Sequence, residues 1–161
     1  LLAAPIRKGR IDWVIEKVVE LGVGRIDLVL TERTIVRPER ADRLRGVARE
    51  AAEQCERLDV PVIADPQPLG AWLAAGFAGR SLLLADETGG EEAAPLLAGA
   101  IPPVVLVGPE GGFSPAERGL IREFGARSIS LGPNILRAET ASLTLLAAWR
   151  LLHHDTMPAG T

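Results

Sequence analysis

Two short stretches gather the residues on which chemistry could rest. The first is GPEGGFSPAE, residues 108–117, where an apolar run (Val104 to Val107) stops at Gly108 and gives way to a proline, a carboxylate and two glycines. Glycine tolerates positive φ and close approach of other groups to the backbone. The second is LGPNILRAETASLTLL, residues 131–146, in which Arg137 and Glu139 stand beside Thr140 before an apolar helical pattern. A guanidinium there can stabilise a developing anion, and a carboxylate can accept a proton. Structural roles are equally open: a carboxylate is favourable at any helix N-terminus, and Arg137 can pair with a neighbouring acid.

The glycine loop is not a phosphate loop. No G-x-G-x-x-G follows this strand, and no G-x-x-x-x-G-K-[ST] occurs in the chain. Pro109 removes an N–H donor, and Glu110 repels phosphate. A loop that invites close approach yet rejects phosphate suits a ligand such as S-adenosylmethionine (SAM). The adjacent His153 and His154 read as exposed tail residues, and with no cysteine or acidic residues at ligand spacing they make a poor metal site, so no metal is expected.

The elements that must position these residues follow from periodicity. Residues 1–6 read as a strand. Ile11, Val14, Ile15 and Val18 recur at helical spacing until Gly22, and RIDLVL (25–30) reads as a strand. Residues 39–58 predict the longest helix, with Leu44, Val47, Ala48, Ala51, Cys55 and Leu58 as its apolar stripe. On its other face Glu39/Arg43, Arg49/Glu53 and Glu53/Arg57 stand at i,i+4 spacing. Strands are expected at 60–64, 81–86, 103–108 and 128–132, and helices at 69–77, 93–100, from Ser114 onward, and at 140–153. Ser114-Pro115-Ala116-Glu117 is a capping-box start. The near-continuous apolar runs SLLLAD and PVVLVG suit strands buried on both faces. The expected fold is therefore α/β, a mostly parallel sheet flanked by helices, in one domain spanning 1–161 with flexible ends at 1–4 and 155–161. Both motif loops then sit at C-terminal strand ends, where open α/β sheets bind ligands.

Composition narrows the function. With 161 residues and a formal net charge of −3, the domain lacks a general attraction for polyanions. Three Trp, three Phe and no Tyr leave few platforms for stacked bases. Lys8 and Lys17 are the only lysines, so the positive charge is nearly all arginine, which either contacts phosphate or reflects the base composition of the gene. The single Cys55 fits a reducing, cytoplasmic setting, and no stretch has the length of a membrane span.

The two motifs together, GPEGGFSPAE and, about twenty residues on, LGPNILRAETA, resemble the RsmE family of 16S rRNA (uridine-N3) methyltransferases, of the SPOUT superfamily. KVVELGVGRI (17–26), TERTIV (31–36) and REAAEQCERLDVPVI (49–63) match further family signatures in the same order, so the resemblance covers most of residues 5–150. It implies a C-terminal trefoil knot around residues 84–90, 108–113 and 131–138. It implies SAM held there by Leu84, Ala85, Val107, Gly108, Glu110, Gly111, Gly112, Leu131, Gly132, Ile135, Leu136 and Thr140, largely through main chain. It implies Arg137 and Glu139 as catalytic residues for methyl transfer to the uridine N3. Arg137 would stabilise the imide anion; Glu139 would take the proton or orient Arg137, with Glu110 as an alternative base. Arg33, Gln54 and Arg57 are candidates for contact with RNA, the partner subunit or each other. A homodimer is implied, with helices 11–22 and 140–153 (including Trp149) at its interface, acting on 16S rRNA or the small ribosomal subunit. Family members carry a PUA-like RNA-binding domain ahead of this region; such a part is expected to be missing before residue 1, so RNA affinity would come largely from it, aided by Arg33, Arg37 and Arg57. The alternatives are a SPOUT methyltransferase acting on tRNA and a SAM-binding module without catalysis.

Overall fold

Strands, singly or in consecutive pairs, are interspersed with helices along the chain, and every strand pairing among the described residues is parallel. The computed structural model describes residues 2–3, 10–34 and 40–153. In order the elements are β1 (Leu2–Ala3), α1 (Arg10–Glu20), β2 (Arg25–Leu30), α2 (Ala41–Gln54), β3 (Val62–Ile63), β4 (Gln67–Pro68) and α3 (Leu69–Ala75). They continue with β5 (Leu82–Ala85), β6 (Glu91–Glu92), α4 (Ala93–Leu97), β7 (Val104–Val107), α5 (Pro115–Glu123), β8 (Arg127–Ser130) and α6 (Ala138–Leu152). The sheet order is β3-β2-β1-β7-β5-β8-β6, with β4 also pairing β2. The expected α/β class and both-face burial hold.

The strand period of two divides the central residues between two cores. Leu83, Val105, Val107 and Ile129 point into the core formed with α1, α2, α4 and α6. Leu82, Leu84 and Leu106 point the other way, against Leu69, Trp72 and Leu73 of α3, Phe113, and Ile121 of α5. Helices α1 and α6 run parallel: Arg10 meets Glu139 near their starts, and Arg150 donates to the Glu20 carbonyl near their ends.

Several boundaries differ from the periodicity. The helix expected over 39–58 spans Ala41–Gln54, and the 15-residue α6 is longer. Helical hydrogen bonding ends because Glu56 takes φ 57°, and the Arg57 N–H turns back to the Ala52 carbonyl. Leu58 therefore lies outside the apolar stripe, 88% exposed. The charge pattern is also redirected. Arg43 makes a two-point bond to Asp12 of α1, at 2.7 and 2.8 Å, and Arg57 pairs with Asp59 at 2.7 Å. Arg57 thus turns to Asp59 and to the Val19 and Val23 carbonyls of the α1 end. The last helix starts at Ala138 rather than Thr140, because Arg137 is its N-cap, so Glu139 lies inside the first turn. His153 is not an exposed tail residue: it caps α6, stacks on Trp149 with centroids 3.7 Å apart, and places its ring nitrogens 2.9 and 3.0 Å from the Trp149 and Gly99 carbonyls. Arg37, Glu39, His154 and the end 155–161 lie outside the described residues, as does the first strand beyond Leu2–Ala3.

Candidate functional site

The connections leaving β5, β7 and β8 meet at the C-terminal edge of the sheet and enclose a cleft of about 250 Å³. β5 lies between the other two strands, paired Ala85 to Val107 on one side and Ala85 to Ile129 on the other. The three loops are therefore neighbours although they are far apart in sequence. A larger cavity, about 750 Å³, lies at the opposite strand ends beside Arg25 and Val104, away from these loops.

The β7–α5 loop is built for this corner. Gly112 takes φ 66°, and its N–H closes a turn onto the Pro109 carbonyl at 2.8 Å. Ser114 caps α5: its Oγ accepts from the Glu117 N–H, and Glu117 Oε2 accepts from the Ser114 N–H at 2.8 Å. The space kept by the missing side chains is taken by the protein itself. A Cβ on Gly108 would stand 2.8 Å from the Phe113 ring, one on Gly111 would stand 3.3 Å from Arg33 Cβ, and one on Gly112 would stand 3.0 Å from Glu87 Oε1.

Of the residues expected to hold a cofactor, Ala85, Val107, Gly108, Glu110, Gly112, Leu131, Gly132, Ile135 and Leu136 line the cleft, and Arg137 joins them. Leu84, Gly111 and Thr140 do not line it. Leu84 packs in the core under α3 and α5, Gly111 faces Arg33, and Thr140 is exposed in the first turn of α6. Glu139 is also off the cleft. It is buried, with Oε1 2.6 Å from Arg10 and Oε2 without a hydrogen-bond partner. Gln54 is exposed at the end of α2. Arg57 donates to the Val19 and Val23 carbonyls at 2.7 and 3.1 Å, tying α2 to the end of α1. Arg33 donates to the Gly111 carbonyl at 2.7 Å.

Sequence reasoning missed the ionic floor of the cleft. Arg118, from the first turns of α5, reaches Asp86 and Glu87 on the β5 loop. The Asp86 side chain is fully buried and also accepts from the N–H and hydroxyl of Thr88, at 3.0 and 2.8 Å. Burial raises its pKa, but the bonds from Arg118 and Thr88 outweigh this and hold the carboxyl below its ordinary value. One signal was available: Asp86 is the polar residue that ends a buried strand. Arg118 and Glu87 carry no comparable mark. No group of His, Cys, Asp and Glu fit to hold a metal occurs among the described residues. No helix among them is long and apolar enough to cross a membrane.

Comparison with known proteins matches this arrangement to one family. A family model described as an RNA methyltransferase domain matches residues 1–150. A Rickettsia conorii protein, ribosomal RNA small subunit methyltransferase E, is 34% identical over 157 residues, covering 94% of this chain and 64% of the relative. The protein of that name from Synechocystis is 34% identical over 154 residues, covering 91% of this chain and 51% of the relative. The crystal structure of ribosomal RNA small subunit methyltransferase E from Neisseria gonorrhoeae, bound to S-adenosyl methionine, has a TM-score of 0.86 at 31% identity, over 94% of this chain and 65% of that one. The chain thus spans less than two thirds of the length of these relatives.

Proposed function

The chain belongs to the RNA methyltransferase domain family, and on that premise we propose that it is the methyl-transferring domain of a SAM-dependent enzyme acting on N3 of a uridine in 16S rRNA. The relatives named above support the rRNA substrate, and the SAM-bound neighbour supports the methyl donor. The observation that carries the reading is the convergence of three strand-end loops on one cleft with Arg137 at its lining.

The cleft's donor set fits SAM. Gly108, Gly112 and Gly132 bring main chain to its lining, and Glu87 and Glu110 supply acceptors for hydroxyls and a cationic amine. Arg118 is occupied by Asp86 and Glu87, which leaves little for a phosphate. Bound SAM supplies an electrophilic methyl on a sulfonium. The protein's own part is to hold the uracil ring edge-on within about 3–3.5 Å of it and to stabilise the ring's negative charge as N3 loses its proton. Arg137 is exposed at the helix N-cap with no side-chain capping bond, so its guanidinium is available to a uracil carbonyl oxygen. Glu110 lines the cleft and is the carboxylate we assign to accept the N3 proton; Glu139, fixed by Arg10, holds the first turn of α6 and hence Arg137.

The rest of the proposal concerns assembly. A trefoil threading of the 131–153 segment is supported by the meeting of residues 131–138 with the β5 and β7 loops. A homodimer is supported by exposed Trp13 on α1 and Leu151 and Leu152 on α6. The small ribosomal subunit as partner, in the cytoplasm, follows from the substrate.

Two measurements test the reading. Calorimetry should find SAM bound with micromolar affinity, about −8 kcal/mol. Primer extension on 16S rRNA or small-subunit particles treated with the enzyme and SAM should stop at one uridine. No SAM binding, or methylation only of tRNA, overturns it.

A further inference from the structure

The glycine loop has two sides. Pro109, Glu110 and Gly112 face the cleft, whereas Gly111 faces away and is covered by Arg33, which comes from the turn after β2. Since β1 lies between β2 and β7 in the sheet, this turn reaches across the end of β1 to touch the loop after β7. Two bonds make the crossing. Arg33 Nη1 donates to the Gly111 carbonyl at 2.7 Å, and the Glu32 N–H donates to Glu117 Oε1 at 2.8 Å. Glu117 is buried, and its other oxygen already takes the Ser114 N–H, so one carboxylate ties both loops together. The turn is itself closed, with the Thr34 N–H on the Thr31 carbonyl and the Thr31 N–H on Thr34 Oγ1. Arg33 thus starts from a fixed base.

Two adjacent glycines give the 109–112 turn more conformational freedom than any other pair of residues would. A loop of that kind binds a ligand weakly unless something outside it selects the bound shape. We propose that Arg33 is a positioning residue for the cleft: by holding the Gly111 carbonyl from outside, it fixes the turn whose inner side receives the methyl donor. This rests on the reading that the cleft binds SAM. It also gives Gly111 its reason, since a Cβ there stands 3.3 Å from Arg33 Cβ and presses on that side chain rather than on the cleft.

The test compares wild type, Arg33→Ala, Arg33→Lys and Gly111→Ala. Calorimetry measures SAM affinity, filter binding measures 16S rRNA affinity at matched salt, and amide exchange at Gly112 is followed without SAM. Arg33→Ala and Gly111→Ala should each weaken SAM about three- to tenfold, the worth of one typical hydrogen bond. Both should speed exchange at Gly112 and leave RNA affinity within about twofold. Arg33→Lys should restore part of the loss, because an ammonium can donate to the same carbonyl. Loss of RNA affinity with SAM affinity and exchange unchanged would make Arg33 an RNA contact and overturn the proposal. No change in any quantity would overturn it as well. A wild type that does not bind SAM would count against the cleft's assignment, while exchange at Gly112 would still decide the latch.

Discussion

Each glycine of the 108–112 loop is small because another part of the protein occupies the vacant space. Gly112 adds a backbone requirement, φ 66°, which it shares with Gly125 at φ 80°; the two differ in that the space where a Cβ would stand is open at Gly125. Either one changed to alanine should lose about 1–2 kcal/mol from the left-handed conformation. Gly112→Ala alone also pushes on Glu87, 3.0 Å from the new Cβ. Thermal unfolding should show both variants destabilised, and calorimetry should show SAM affinity reduced only in Gly112→Ala; equal SAM affinity in the two would remove Gly112 from the cleft's design. Arg137 makes the opposite case. It is exposed and makes no capping bond, so Arg137→Ala should change stability by no more than about 0.5 kcal/mol. Single-turnover methylation should nevertheless fall about 10²–10³-fold, as when an oxyanion donor is removed. SAM affinity falling in step with rate would move Arg137 from the reaction to cofactor binding.

At the scale of elements, α5 carries more than its own start. Ser114→Ala removes one cap acceptor and should cost about 1 kcal/mol. Glu117→Ala strips acceptors from both the Ser114 N–H and the Glu32 N–H. The buried Ser114 N–H left unpaired costs about 1–3 kcal/mol, and the bond to the more exposed Glu32 N–H is lost as well, so urea unfolding should place this variant below Ser114→Ala. A Glu117→Ala variant no less stable than Ser114→Ala would mean that the bond to the β2 turn contributes nothing. The capping box was readable in the sequence because it is local, within residues 114–117. The bond to Glu32 was not, since it spans 85 positions and depends on β1 setting the distance between β2 and β7.

The whole molecule responds to acid through several carboxylates held low at once. Hydrogen bonds from Arg43, Arg57 and Arg127 depress Asp12, Asp59 and Glu91 respectively. Asp86 is depressed despite its burial, by Arg118 and Thr88. Each folded pKa lies below its unfolded value near about 4, so the unfolded chain binds these protons more readily. Their contribution to stability is therefore complete above about pH 5 and is lost as pH falls through the lower folded values. The urea midpoint should stay level between pH 6 and 8 as far as these groups are concerned and should drop steadily below about pH 4. A midpoint that holds to pH 3 would mean that the ion pairs leave the folded and unfolded pKa values alike. SAM binding should decline over the same acid range, because Asp86 and Arg118 form the floor of the cleft.

The sequence by itself determined the α/β alternation, the strands buried on both faces, the cap of α5 and the two loops that meet in the cleft. All of these depend on periodicity or on contacts within a few residues, which a linear reading can see. The tertiary structure decided which side of each loop faces the cleft. Gly111 turns outward because Arg33 arrives from another strand, Glu139 is drawn away by Arg10, and Arg57 is held by the carbonyls of α1. It also supplied Asp86, Glu87 and Arg118 as the floor. Those outcomes turn on strand order and on which helices lie side by side, and neither is encoded in spacing along the chain.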